Sequence, residues 1–382
     1  MRYITADKIY PISSEPLENA VIVVDDNGMI QDLVDESSVE LTKIERHKGS
    51  ICPGFINTHC HLELSYMKGK IPSGGGLHNF IQEVEKLKKP TDDEVHQAIR
   101  SADAEMQRNG IVAVGDISNT TDTFSFKSTS PIYYHTFVEI YAFDERKADA
   151  AFEKGVKMQN ELPHKKRSSI TPHAPYSASR KLLQYFKDHA EKDNSILSIH
   201  NQETPDEDLF FQEKRGSILD RLNYFGIDTS DWKAPGTSSL YYTLPQLPAR
   251  NKLLLVHNTF TSQDDIDFAN KYNPNIYWCF CPNANLYIEN ELPNFHSFID
   301  KNCRITLGTD SYASNWELSI FNEIKTLHER LPKIKLDMYL TWATLNGAMF
   351  LGIDDVYGSI EKGKKPGLIL LNEDLTAVRR LI

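Results

Sequence analysis

His59 and His61 stand one residue apart in NTHCHLEL, residues 57–64. In an extended segment, positions i and i+2 point to the same side, so the two imidazoles can converge on one ion while Cys60 faces the other way. Thirteen histidines in 382 residues produce about 0.4 such pairs by chance, so the pair carries meaning only with companions. His173 in SSITPH, His200 in ILSIH, His257 in LLLVH and Asp310 in ITLGTD each close a short apolar run, as the first pair does. His59, His61, His200 and Asp310 form a donor set of three nitrogens and one oxygen with a position left for water. That composition suits one divalent ion, Zn2+, with Fe2+ as the other option. An ion of this charge lowers the pKa of its bound water to about 7. Glu203, three residues past His200 in HNQET, is placed to reach over that water and carry protons to a ring nitrogen and leaving group. Asp310 can accept the water proton, and His257 can orient the hydroxide. Taken singly, each residue has a plainer reading as a packed histidine, a solvated loop carboxylate or a turn aspartate. Their shared place at the ends of apolar runs favours a site.

Those runs are the elements that must position the chemistry. Eight of them, ICPGFINTH, IVAVGD, IYYHTFVE, SSITPH, ILSIH, LLLVH, NIYWC and ITLGTD, read as buried strands, most with helix-like sequence between them. Eight such units over about 300 residues predict an α/β fold, a (β/α)8 TIM barrel whose active groups sit where the strands finish. Thr91 and Glu94 are spaced as a capping box that opens a helix, and Asn109-Gly110 stops it. Residues 1–52 and 353–382 read as strands, and they are expected to join into a small β-sandwich beside a barrel of residues 53–352. Asn27-Gly28 marks a tight hairpin in the first piece. The long connection through residues 205–235 is a candidate lid.

Composition narrows the partners. Hydrophobic residues make up 40%, charged residues 25%, and the formal net charge is −11. With no basic tract to offset that charge, neither nucleic acid nor an anionic membrane is an expected partner, which leaves a small-molecule substrate. The start, MRYITADKIY, lacks an apolar leader core, and no stretch reaches the roughly 18 apolar residues of a membrane span. A cytoplasmic protein is expected. Five cysteines in a chain of this length are not a disulfide framework. Neither a G-x-G-x-x-G fingerprint nor a Walker loop is present, so no nicotinamide or phosphate cofactor is expected, and SGGG (73–76) reads as a flexible loop.

The motifs together resemble the metal-dependent amidohydrolase superfamily over nearly the whole chain. CPGFINTHCHLE looks like its entry motif, HNQET like its H-x-x-E, GTDSYASN like its strand-eight Asp motif and TLNGAMFLGIDDVYGSIEKGKKPGLILL like its C-terminal segment. Within it the sequence is similar to the branch of cytosine, adenosylhomocysteine-type and guanine deaminases and triazine chlorohydrolases. The resemblance implies one metal on His59, His61, His200 and Asp310, with Glu203 as proton shuttle and His257 beside the attacking water. His173, in TPHAPYS, takes the place of the bridging lysine of the binuclear branch and is similar to a substrate-contacting histidine of nucleoside deaminases. CPNAN (281–285) resembles their CPxSN, with Ala284 for Ser. HCHLELS and ETPDED look closest to the aminodeoxyfutalosine deaminase type. The implied reaction is hydrolytic deamination of a 6-aminopurine nucleoside or related base by metal-hydroxide attack, and family members are often homodimers. Release of chloride or opening of a lactam on the same scaffold is the alternative, and a non-catalytic metal-binding protein is the alternative of another class. SGGGLHNFIQEV lacks the acidic residue with which adenosylhomocysteine-type enzymes hold the ribose, and His78, Tyr66 and Glu207 are candidates to replace it.

Overall fold

The computed structural model describes residues 1–382. All eight expected runs are parallel barrel strands: Phe55–Cys60, Ile111–Ser118, Tyr133–Ile140, Ser168–Pro172, Leu197–Asn201, Leu253–His257, Ile276–Phe280 and Ile305–Leu307. They read as continuous apolar runs because both faces are covered. Ile56, Ala113, Phe137, Leu254, Val256 and Tyr277 fill the barrel interior. Phe55, Val114, Val138, Ile170, Leu255 and Trp278 belong to the larger layer between strands and helices. The helix Asp92–Arg108 has the expected capping box, with Thr91 accepting from the Glu94 backbone and Glu94 accepting from that of Thr91. It stops at Gly110, whose φ of +81° suits glycine.

The barrel's backbone ladders fall into two four-stranded sheets, strands one to four and five to eight. The two seams close by other means. Between strands eight and one, the Thr309 and Asp310 amides both donate to the His59 carbonyl at 3.1 Å, and Asn57 and Thr309 exchange side-chain and backbone bonds. Between strands four and five, the His200 amide donates to the His173 carbonyl at 2.9 Å and the Ser198 amide to the Thr171 hydroxyl. Gly308 is required at the first seam, because a Cβ there would lie 2.8 Å from His59 Cβ and 2.9 Å from Cys279 Sγ. Both seams carry residues singled out by their chemistry.

Strand one contains a bulge. Its register against strand two shifts between Asn57 and Cys60. Phe55 and Cys60 consequently both face the outer layer, although they lie an odd number of residues apart, and Ile56 faces the interior. Strict alternation from Ile56 would send His59 outward; the bulge turns it inward beside His61.

The two terminal pieces join in a single sheet. Arg2–Ile9, Ala20–Val24, Ile30–Asp35, Ile44–Pro53, Leu368–Leu371 and Val378–Arg380 form one six-stranded sheet, in which Ile44–Pro53 pairs parallel with the first strand and antiparallel with Leu368–Leu371. The connection at Asn27-Gly28 is longer than a two-residue hairpin. Only Gly28 has positive φ (+82°), and the Asp25 carboxylate accepts from the Asn27 and Met29 amides, so an aspartate-centred turn replaces the tight one. The stretch proposed as a lid holds the helices Pro205–Glu213 and Ser217–Tyr224; Phe210, Phe211, Ile218 and Leu222 pack on Ala174, Tyr176, Leu77 and Ile288. No helix is long and apolar enough to cross a membrane.

Candidate active site

The two seams bring the first-strand pair, His200 and Asp310 to one point. Asp310 Oδ1 lies 3.5 Å from both His59 Nε2 and His61 Nε2, and His61 Nε2 lies 3.3 Å from His200 Nε2. Donor atoms arranged tetrahedrally about an ion at 2.0–2.2 Å would stand about 3.3–3.6 Å apart, so these separations match. The hydrogen bonding makes the same demand. Both ring nitrogens of His59 and Nδ1 of His61 are buried without a partner. His200 donates from Nδ1 to the His173 carbonyl at 2.8 Å, which leaves a lone pair on Nε2 facing His61. The nitrogens that face one another, Nε2 of His59, His61 and His200, have only each other and Asp310 Oδ1 within reach in a dry space, a set of lone pairs that a divalent metal satisfies.

Electrostatics prepares these groups for such an ion. Burial lowers the pKa of His59, takes that of His61 down to about 3 and holds that of His200 well below the usual value, so the imidazoles are neutral ligands at neutral pH. Burial alone would raise Asp310, but the His59 imidazole 3.5 Å away and the neighbouring His61 and His257 hold its carboxyl well below the usual range. Ser314 donates its hydroxyl to Asp310 Oδ2, leaving Oδ1 toward the histidines.

Glu203 and His257 stand together beside this cluster, with Glu203 Oε1 3.6 Å from His257 Nε2. Burial raises the Glu203 carboxyl to about 7. His257 is fixed from behind by Asn285 Oδ1 at 2.9 Å from Nδ1, and its ring centroid lies 5.7 Å from that of His59 and 5.5 Å from that of His200. His173 is at the edge of the group, its ring 4.8 Å from His200 and its Nδ1 2.9 Å from the Ser177 hydroxyl. Gln202, His257, Asn258 and Asp310 all have positive φ between 44° and 72°, a costly conformation for residues other than glycine. Asn258 secures it, because its amide group bonds the Leu255 and Cys279 carbonyls and accepts from Asn201. Strands five, six and seven are thereby locked behind His257.

Several residues of the site escaped the sequence reading. Glu139 ends strand three; its Oε1 is buried without a hydrogen bond 3.5 Å from His200 Nδ1, its Oε2 accepts from Asn119, and burial raises it to about 8. Asp116, on strand two, accepts from the Leu62 amide immediately after His61 and is neutralised by Lys127 at 2.5 Å in a fully buried pair. The signal was present, since both carboxylates lie near the ends of apolar runs, where only histidines and Asp310 were weighed. Nothing local in the sequence assigns Lys127 to Asp116.

A buried carboxyl outside this cluster yields a test of the electrostatics. Glu207 accepts from the Gln202 amide through Oε1, its Oε2 is buried unpaired, and burial raises it to about 8. A folded-state value above the unfolded one means the folded protein holds the proton, so the contribution to stability is complete below about pH 4.5 and is lost as pH rises through 8. Glu207→Gln keeps the Oε1 acceptor without the charge. It is expected to match the parent at pH 5 and exceed it in denaturant midpoint at pH 8; equal pH slopes for the two proteins would refute this.

Comparison with known proteins agrees with the barrel. A 5′-deoxyadenosine deaminase of Methanosarcina acetivorans is 25% identical over 390 residues, covering 95% of this chain and 83% of that protein. The structure of Helicobacter pylori aminofutalosine deaminase in complex with methylthio-coformycin superposes with a TM-score of 0.80 at 22% identity, covering 97% of this chain and 92% of the other. An adenosine deaminase from Xanthomonas campestris with bound zinc superposes with a TM-score of 0.77 at 21% identity, covering 98% and 85%. The amidohydrolase family model matches residues 50–380, from the strand that leads into the barrel to the last strand of the terminal sheet, and the chain belongs to the amidohydrolase family.

Proposed function

We propose that this protein is a hydrolase that deaminates an adenine nucleoside or closely related 6-aminopurine nucleoside, releasing ammonia. The observation that carries the reading is a buried carboxyl, Glu203, raised to about 7 beside a neutral-histidine and aspartate cluster of metal-binding geometry. Relatives named for deamination of 5′-deoxyadenosine and adenosine support the same reaction class. His59, His61, His200 and Asp310 would hold the ion, with zinc the choice that fits three nitrogens and one oxygen. When bound, the ion supplies a water activated near neutral pH.

The protein's own groups do the rest. A carboxyl near 7 both takes and returns a proton at neutral pH, so Glu203 protonates the purine ring nitrogen and then the departing amine. His257, held by Asn285, orients the attacking oxygen through Nε2. Asp310 takes the remaining proton of that oxygen and returns it by way of Glu203 to the departing amine, with Ser314 steadying its second oxygen. His173, with Nδ1 occupied by Ser177, has its other nitrogen for the substrate ring.

The test is ammonia release by metal-replete protein across adenosine, 5′-deoxyadenosine, aminodeoxyfutalosine, guanine, pterins and cytosine, with Asp310→Asn as control. Release from an adenine nucleoside that disappears in the control is the expected result. Silence across the nucleosides together with chloride release or lactam opening would replace this reading with its same-scaffold rival.

A further inference from the structure

Resting on the nucleoside reading, we propose that Glu289 is a substrate-binding residue whose free carboxylate oxygen accepts hydrogen bonds from the sugar hydroxyls. Glu289 follows the short helix Pro282–Ile288, which leaves the end of strand seven. Asn285 in that helix holds His257, and the Glu289 amide donates to the Asn285 carbonyl at 2.9 Å, so the two are one helical turn apart. Residues four apart share a helix face, and a turn advances roughly 5.4 Å. The face that touches the catalytic group at Asn285 therefore presents Glu289 one turn further toward the rim.

The carboxylate is held in place yet half free. Oε1 accepts from the Leu77 amide at 2.8 Å, while Oε2 has no hydrogen-bond or ion-pair partner in the protein, and the residue is only half-buried. The Gly74 amide donates to the Tyr287 carbonyl at 2.6 Å, so the glycine loop is tied to the same turn, and Gly76, with no side chain, leaves the approach to both Glu289 oxygens open. The loop expected to be flexible thus forms one wall of the subsite. The charge of Glu289 is also within range of Glu203, whose carboxyl it helps to raise.

An adenine nucleoside spans such a space in one direction. Its reacting amino group lies at one end and its hydroxyls at the other, so a substrate with its amino carbon at Glu203 carries the sugar outward. A fixed carboxylate oxygen there accepts from hydroxyls and disfavours phosphate through like charge. The residues weighed from sequence fit less well. Glu207 is fully buried with one oxygen spent on Gln202, His78 bonds Gln82 in its own helix, and Tyr66 lies under Lys70.

The plainer role for Glu289 is a cap for the helix Gly76–Lys86, and substrates can separate the two. kcat/KM is measured for adenosine and for 2′,3′-dideoxyadenosine with the metal-replete parent, Glu289→Gln, which keeps an Oε1 acceptor for Leu77, and Glu289→Ala. Both variants are expected to lose roughly 10- to 100-fold on adenosine, mainly through KM, and less than about threefold on the dideoxy compound. Equal losses on both substrates, or no loss on either, would reduce Glu289 to a cap and overturn the proposal. A parent that binds metal and releases ammonia from neither compound, nor from 5′-deoxyadenosine or aminodeoxyfutalosine, overturns the nucleoside reading itself, and this inference falls with it.

Discussion

Glu203→Gln is expected to cut kcat by about 10²- to 10⁴-fold while the protein keeps its fold and its metal. Glutamine has the shape of glutamate and cannot carry a proton, so the substitution isolates the proton-transfer role. The carboxyl stands 3.6 Å from His257 and belongs to no ligand pair of the proposed ion, so binding of the ion has no reason to weaken. Burial has raised it to about 7, which is worthwhile for a group that must exchange protons at neutral pH and has no evident structural benefit, since neither oxygen caps a helix or joins a backbone ladder. Metal analysis and steady-state ammonia release on the same preparation provide the check. Turnover within a few-fold of the parent would remove Glu203 from the mechanism, and loss of metal would make it a ligand instead.

The double substitution His59→Ala with His61→Ala is expected to reduce bound metal from about one ion per chain to near zero and to abolish turnover. Both imidazoles lie within 3.5 Å of Asp310 Oδ1, and three of their four ring nitrogens have no hydrogen bond in the protein. An ion would engage one nitrogen of each ring, the Nε2 that faces Asp310 Oδ1, so the apo protein carries the cost of an unpaired His59 Nε2 and of crowded Nε2 lone pairs that metal binding relieves. The substitution removes that cost along with the ligands. The thermal midpoint of the parent should therefore rise with added zinc and that of the double variant should not, which gives a readout independent of activity. Undiminished metal content in the variant would place the ion elsewhere.

The two predictions probe different halves of one arrangement. The proposed ion sits where the seam between strands eight and one delivers His59, His61 and Asp310 and the seam between strands four and five delivers His200. His257 ends strand six and Glu203 lies in the turn after strand five, and Asn258 locks both strands. Strained backbone at His257 and Asn258 is tolerated because these bonds overdetermine it.

The sequence by itself determined the local elements and the candidate ligands. A buried parallel strand needs a short unbroken apolar run, and a helix start needs its capping residues within one turn, so eight strands and the Thr91 cap were legible from neighbours in the chain. His59, His61, His173, His200, His257 and Asp310 were legible for the same reason, because barrel topology gathers strand ends whatever their separation in sequence. Tertiary structure decided what depends on contacts between distant residues. The bulge that turns His59 inward answers to the register of strand two, the Asp116–Lys127 pair forms only when strand and helix dock, and Glu289 reaches Leu77 across 212 positions of chain. Periodicity records which face of a residue is apolar, but it holds no information about which remote backbone amide will claim one carboxylate oxygen and leave the other free.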